Sequence, residues 1–318
     1  MPQRPYLLDC DTGVDDALAL FHLLSDPEVD LVGVSTVSGN TSAAQAAENT
    51  LRLLALAGRS DVPVAVGEHH FRMVDFDGGV PHIHGDNGIG GIELPSSAVG
   101  PSDESGAELI ARLAREHRGE LHLIAIGPLT NLALALEIEP ELPSLIGALT
   151  IMGGAALAPG NSTPVAEANI ACDPHAAELV FAADWNITMV GLDVTMKHLV
   201  EAPDRAALLS APGRIAPVLG EMLGIYFDFY VSVFGRPCSA LHDPLAVAIA
   251  TGEVVPTLAP VVRVRVDATD GPGRGQTVCD MRGLYAGYPA QNGARVRVVL
   301  EVDQPYAPLL MKRLLSFD

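Results

Sequence analysis

The chain has 318 residues, with 39 acidic against 19 basic side chains and a formal charge of −20 at pH 7. Hydrophobic residues make up 48% and charged residues 18%, a mixture too apolar for a disordered chain and long enough to bury a sizeable core. So acidic a chain repels phosphate, which argues against nucleic acid or an anionic membrane as partner, and with only Lys197 and Lys312 as lysines it has few residues for Schiff-base chemistry.

Short apolar runs alternate with helical patterns. Tyr6–Cys10 reads as a buried strand, 16–24 as a mostly buried helix, and Leu31–Val37 as a second, β-branched strand. Thr41-Ser42 offers a cap for an Ala/Leu-rich helix over 43–57, closed by Gly58. Strand 62–66 follows. Residues 68–104 lose periodicity and are rich in Gly, His, Asp and Pro, so they read as a long surface loop. The alternation resumes with helix 105–117, strand 121–126, helix 131–136, strand 148–152, helix 174–183 and strand 187–192. Residues 205–209, 215–233 and 244–250 read as helices; strands are expected at 261–266, 276–280 and 295–302, then a helix from Tyr306. Strand–helix alternation of this kind predicts an α/β fold in one domain over residues 1–318, with a mostly parallel central sheet and helices on both faces.

No run of 18 residues reads as apolar enough to span a bilayer. The opening Met1–Pro5 runs at once into Tyr6-Leu7-Leu8-Asp9, where a signal peptide would need an apolar stretch and a small-residue cleavage site. Cys10, Cys172, Cys238 and Cys279 are far apart, without a Cys-x-x-Cys pair, so free thiols in a reducing cytoplasm are expected.

The segment Asp9-Cys10-Asp11-Thr12-Gly13-Val14-Asp15-Asp16 puts four carboxylates between a buried strand and a buried helix. The carboxyl edge of a parallel sheet is where ligands bind, and like charges converging there need a positive partner. A hard divalent cation with oxygen ligands meets that need, and Gly13 permits the tight turn. A helix start alone would explain Asp15 and Asp16 but not Asp9 and Asp11. An EF-hand is excluded, because Gly13 and Val14 stand where Asp/Asn and Gly are required. A second reading is a Mg²⁺ phosphatase of the haloacid-dehalogenase type with Asp9 as nucleophile; Asp9-Cys10-Asp11-Thr12 fits it, and Gly13 does not. There is no P-loop, no third glycine at Glu93 for a dinucleotide fingerprint, and no Gly-x-Ser-x-Gly elbow.

The run Asp9–Ala17 resembles the opening signature of the inosine-uridine preferring nucleoside hydrolases, calcium-dependent N-ribohydrolases. The resemblance continues through Ser35–Asn40, Gly127–Ala133, Met152–Ala155, Glu167–Pro174 and His242–Ala246, in the family's order. It implies a Ca²⁺ site formed by Asp11, Asp16, Asp243 and the backbone carbonyl of Ile126. It further implies that Asp11 activates a water, that an oxocarbenium-like transition state forms, and that His242 serves the leaving base. Asp15, Asn40, Met152, Asn161, Glu167 and Asn169 are expected to hold the ribose, and His84, Tyr226 and Tyr230 to line the base pocket. Residue by residue, Asn161 also fits a turn after Gly160, Glu167 a solvated charge, and the tyrosine pair, one helical turn apart, ordinary packing. The family usually has an aromatic residue where this chain has Ala168. The substrate implied is a ribonucleoside, in a homodimer or homotetramer; a non-catalytic nucleoside binder on the same scaffold is a third reading.

Overall fold

The computed structural model describes residues 3–317. Its first strand, β1 (Arg4–Cys10), alternates strictly: Tyr6, Leu8 and Cys10 enter one apolar core and Leu7 the other. A strand apolar on both faces must lie between two layers of helices, and so it does. Six strands follow the expected order: β1, β2 (Val29–Thr36), β3 (Val64–Val66), β4 (His122–Ala125), β5 (Ala148–Met152) and β6 (Ile187–Val190). They are parallel and arranged β3-β2-β1-β4-β5-β6, then strands Val296–Val298 and Val261–Val262. Only the last pair is antiparallel.

Helices Val14–Ser25, Ala43–Leu56, Ile215–Phe234, His242–Thr251 and Ala307–Ser316 pack into one core. Helices Gly106–Glu116, Thr130–Ile138, Ala168–Cys172 and Pro174–Ala182 pack into the other. Local chemistry sets the helix starts. Ser42 accepts from the Gln45 amide at 3.2 Å, and Ser105 forms a reciprocal capping box with Glu108.

Strand order reverses direction between β1 and β4. Chains leaving these neighbours turn toward opposite faces, which opens a crevice at their carboxyl ends. Asp11 follows β1 and Ile126 follows β4, so the fold itself places the acidic turn at the crevice.

Three expectations change. The last third does not form three long strands: 261–266 divides into Val261–Val262 on the main sheet and Val264–Val266 in a hairpin with Thr277–Cys279. Likewise 295–302 divides, Val296–Val298 joining β6 and Glu301–Val302 pairing with Pro256–Leu258. The long loop contains one helical turn, Pro81–His84. Finally, helix Ile215–Phe234 is long and apolar enough to cross a bilayer by length and composition, contrary to the hydropathy reading. Its Leu219, Met222, Leu223, Tyr226 and Tyr230 lie on one buried face in the core, while Glu221 and Asp228 stand exposed on the other.

Candidate active site

The acidic turn is built by close backbone contacts. The Gly13 amide donates to Asp16 Oδ2 at 2.7 Å and the Asp11 amide to Asp16 Oδ1 at 3.2 Å. Asn40 closes the group from the loop that follows β2, its amide donating to Asp11 Oδ2 at 2.6 Å and its side chain to Asp16 Oδ2 at 3.1 Å. Glycine is required here by space. A Cβ on Gly13 would lie 2.4 Å from His84 Nδ1, and one on Gly39 would lie 2.1 Å from Asp11 Oδ2.

Asp243 arrives from the first turn of helix His242–Thr251, more than 220 residues later in the chain. Carboxylate oxygens of Asp15, Asp16 and Asp243 lie within 4.8 Å of one another. All four acids, Asp11 included, are buried. Asp15 and Asp243 face the cavity, while Asp11 and Asp16 sit beneath them. Burial, reinforced by the Asp16 charge, pushes the Asp11 carboxyl well above its ordinary range and Asp15 up to about 7. Asp243 is raised in the same way, first by burial and then by Asp15, Asp16 and Asp11. One oxygen of Asp11 and one of Asp15 are buried without any hydrogen-bond partner. Orphaned oxygens among crowded carboxylates, with no lysine or arginine among the described residues that line the cavity, are the donor set a hard divalent cation takes.

The cavity above this floor has a volume of about 620 Å³. One wall is polar. Asn169 Nδ2 donates to the Ile126 carbonyl at 2.8 Å and to the Met152 carbonyl at 3.2 Å. The Ile126 carbonyl thus points at the site, and its second lone pair is open to a further partner. Glu167 is buried and caps helix Ala168–Cys172; its oxygens accept from the amides of Asn169 (2.9 Å), Gly154 (3.0 Å) and Ile170 (3.2 Å). Asn161 Oδ1 accepts from the Ala168 amide at 3.0 Å, on the exposed rim.

The opposite wall is aromatic. Tyr226 and Tyr230 meet edge to face with centroids 5.1 Å apart, and His84 lies against Tyr226 at 5.0 Å. His242 is fixed at both ring nitrogens, Nε2 to the Tyr230 hydroxyl at 2.6 Å and Nδ1 to Thr195 Oγ1 at 2.8 Å. Burial holds the His242 imidazole down to about 4, so it is neutral at pH 7. His84 Nδ1 accepts from the Val14 amide at 3.0 Å, and burial lowers it to about 3. His82 also lines the cavity, on its exposed side.

The structure therefore brings together every site residue expected from the sequence, around one floor and two walls. Asp9 is elsewhere. It is buried and accepts from the Ser35 hydroxyl at 2.6 Å and Asn131 Nδ2 at 2.8 Å, bracing β1 against its neighbours rather than facing the cavity. A phosphatase nucleophile at Asp9 is not favoured by that placement. Sequence reasoning missed Thr195, which carried no motif, and Phe229 and Met196 on the cavity lining. It also missed the bracing roles of Asn131 and Asp173. Asp173 accepts from the Thr130 hydroxyl at 2.8 Å and from the Arg72 and Ala176 amides.

A parallel sheet of this order, an acidic floor at its switch point and an aromatic wall carrying a neutral histidine define a hydrolase of glycosidic bonds in nucleosides. Residues 6–307 match the profile of the inosine-uridine preferring nucleoside hydrolases, and the chain belongs to that family. It is an N-glycosyl hydrolase that cleaves ribonucleosides into base and ribose. It is 35% identical to probable uridine nucleosidase 2 of Arabidopsis thaliana, over 99% of this chain and 98% of that protein. It is also 35% identical to a pyrimidine-specific ribonucleoside hydrolase, RihA, of Escherichia coli, over 98% of each. Among solved structures, a plant nucleoside hydrolase superposes with a TM-score of 0.91 at 31% identity, covering 99% of this chain and 100% of its own. A purine-preferring ribonucleoside hydrolase of Gardnerella vaginalis gives 0.89 at 34%, over 99% of both chains.

Proposed function

We propose that this chain cleaves the N-glycosidic bond by direct attack of water at C1′, with a resident Ca²⁺ and no covalent intermediate. Asp11, Asp16, Asp243 and the Ile126 carbonyl would hold the cation, whose chemistry is to lower the pKa of a bound water and to bind hydroxyl oxygens. The observation that carries this reading is the pair of orphaned carboxylate oxygens beneath a cavity whose far wall presents Tyr230 and His242.

In this reading Asp11 accepts the water's proton. Asp15 and Asn169 bind ribose hydroxyls, and the negative floor stabilises positive charge growing at C1′ and the ring oxygen. The base stacks on the tyrosines and leaves with a proton delivered from the Tyr230–His242 side. The reading is supported by the site chemistry and by family membership. Two relatives named for uridine and for pyrimidines make uridine the first substrate to try. We further infer a cytoplasmic homodimer or homotetramer in nucleoside salvage, from the family resemblance and the free thiols; light scattering tests the assembly.

A reducing-sugar assay over a panel of ribonucleosides, with and without a chelator, tests the reading. Ribose release that a chelator abolishes and Ca²⁺ restores is the expected result. Release insensitive to chelation removes the cation from the mechanism, and release from no ribonucleoside removes the reading itself.

A further inference from the structure

A ribose ring held by its C2′–C3′ diol on the acidic floor, with its base on the tyrosine wall, turns C5′ toward the opposite wall. Asn161 and Glu167 stand there. Glu167 Oε1 accepts a single amide, that of Asn169, and Asn161 Nδ2 has no partner among the described residues. One offers an acceptor and the other a donor, a pair that a hydroxyl can satisfy on both counts. Glu167 is buried and fixed by three amides, whereas Asn161 is exposed and rides on a loop. Whatever places that loop decides whether Asn161 reaches the sugar.

The loop over 159–166 is folded on itself. Gly160 donates to the Pro164 carbonyl and Ser162 to that of Ala166, each at 3.1 Å, and the Ala166 amide donates to Thr163 Oγ1 at 2.9 Å. Among the described residues, its one outward hydrogen bond runs from the Ala168 amide to Asn161 Oδ1. The loop is therefore one piece, placed by its two ends. The later end is the buried pair Ala166 and Glu167. The earlier end, residues 156–158, is held by a single side chain. Asp193 Oδ2 accepts from the Ala156 amide at 2.7 Å, and Oδ1 accepts from the Leu157 and Ala158 amides at 2.7 and 2.9 Å. Asp193 is buried, and no lysine or arginine pairs with it among the described residues, so its charge is met by those three amides. Hydrogen bonds to an ionised carboxylate are about twice as strong as neutral ones.

Neighbouring parallel strands bring Asp193 to this place. β5 and β6 pair with Met152 opposite Val190, and just beyond them the Leu192 amide donates to the Gly154 carbonyl at 2.9 Å. The short helix Leu192–Thr195 thus starts against the root of the sugar-side loop. Its other end carries Thr195, whose hydroxyl lies 2.8 Å from His242 Nδ1. One turn of helix braces both walls of the cavity without lining it at Asp193.

We propose that Asp193 is a positioning residue for the sugar: by holding residues 156–158 it sets Asn161 Nδ2 at the 5′-hydroxyl, and so gives the enzyme a preference for substrates that carry one. This inference rests on the nucleoside-hydrolase reading of the site.

The test compares uridine with 5′-deoxyuridine, and adenosine with 5′-deoxyadenosine, by base release from the Ca²⁺-loaded protein. The unaltered enzyme is expected to favour the hydroxylated substrate about a hundredfold in kcat/KM. Asp193→Ala should cut that preference about tenfold while leaving kcat/KM for the 5′-deoxy substrate within about threefold of its original value. Asp193→Asn, which keeps one accepting oxygen, should cut it about threefold. Asn161→Ala should lower the preference as Asp193→Ala does, and combining the two should lower it no further, because both act through one contact. A purely structural role would slow both substrates together and leave their ratio unmoved; that result overturns the proposal, and so does a full second loss in the double variant. If Asp193→Ala does not fold, the ratio in Asp193→Asn decides; if neither folds, Asp193 belongs to the fold and the proposal falls. An unaltered enzyme that cleaves both substrates equally well also overturns it and leaves nucleoside hydrolysis standing. Base release from no substrate in either series removes the underlying reading and takes the proposal with it.

Discussion

The Tyr230 hydroxyl lies 2.6 Å from His242 Nε2, and the far nitrogen of the same imidazole lies 2.8 Å from the Thr195 hydroxyl. A neutral imidazole has one donor and one acceptor nitrogen, so these three groups share one hydrogen-bond direction. In the tautomer that accepts from Thr195 at Nδ1, Nε2–H donates to the Tyr230 oxygen and the phenolic hydrogen is free for another acceptor; in the other, Nδ1–H donates to Thr195 and the Tyr230 hydroxyl donates to Nε2. In either case Thr195 acts as a positioning residue that holds the far side of the imidazole. His242→Ala should lower kcat by about 10²- to 10⁴-fold, and Thr195→Val by about tenfold with KM nearly unchanged. Thr195→Ser should restore activity, because the hydroxyl alone does the positioning. Steady-state kinetics on the three variants check this, and a harmless Thr195→Val would remove the relay.

Asp9 and Asp11 are two residues apart and their side chains do different work. Asp9 Oδ1 is held by Ser35 and Asn131 and its Oδ2 is buried without a partner away from the cavity, while Asp11 keeps such an unpartnered oxygen at the floor of the site. Burial raises the Asp9 carboxyl to about 7, so its charge is no asset to the fold. Asp9→Asn keeps the accepting oxygen and should cost less than about tenfold in kcat/KM, while Asp11→Asn should cost about a thousandfold or more. Circular dichroism separates misfolding from lost chemistry. A folded Asp9→Asn protein as inactive as Asp11→Asn would return the nucleophile to Asp9.

Much of this was readable because chemistry and fold coincide at one turn. Four aspartates after a buried strand and before a buried helix state both where the sheet ends and what the site must bind. Asp243 and Ile126 were reachable only through the family pattern, because no local spacing links them to Asp11. Thr195 was invisible for a physical reason: a hydroxyl about 180 residues beyond the acidic turn acts through a histidine that only the fold brings to it. The same holds for Glu167. Its sequence context allows a ribose ligand or a surface charge, and the structure adds a helix cap that engages three amides. The terminal strands were misjudged because 261–266 and 295–302 are each continuous in pattern but divide between two sheets, a choice made by tertiary packing rather than by propensity.

The cation should act on stability as well as on rate. The ligands proposed for it are buried carboxylates raised above their ordinary range, so binding would displace protons at low pH and meet less competition as pH rises. At a hundredfold excess over its Kd, a cation bound only to the folded state contributes about 2.7 kcal/mol. Adding CaCl₂ to chelated protein should therefore raise the thermal midpoint by several degrees, and by more at pH 8 than at pH 5. Differential scanning calorimetry at both pH values measures it. An equal shift at the two pH values would mean that these carboxylates are not the ligands.

His84 gives a pH signature of opposite origin. Its Nδ1 accepts from the Val14 amide at 3.0 Å, at the start of the helix that carries Asp15 and Asp16, and burial depresses it to about 3. In the unfolded chain the same imidazole takes a proton near its ordinary value of about 6.5. Between those values the unfolded state holds one proton more than the folded state, so stability falls as pH drops from about 6.5 toward 3. The contribution is fully present above pH 7. His84→Asn places an amide oxygen where Nδ1 accepts and removes the titration, so its stability should depend less steeply on pH by about one proton across pH 6 to 4. Urea titrations at half-unit steps, with saturating Ca²⁺ in both proteins, give the two slopes. Parallel slopes would mean that the His84 imidazole is protonated in the folded protein, and the hydrogen bond from Val14 would then have to be abandoned.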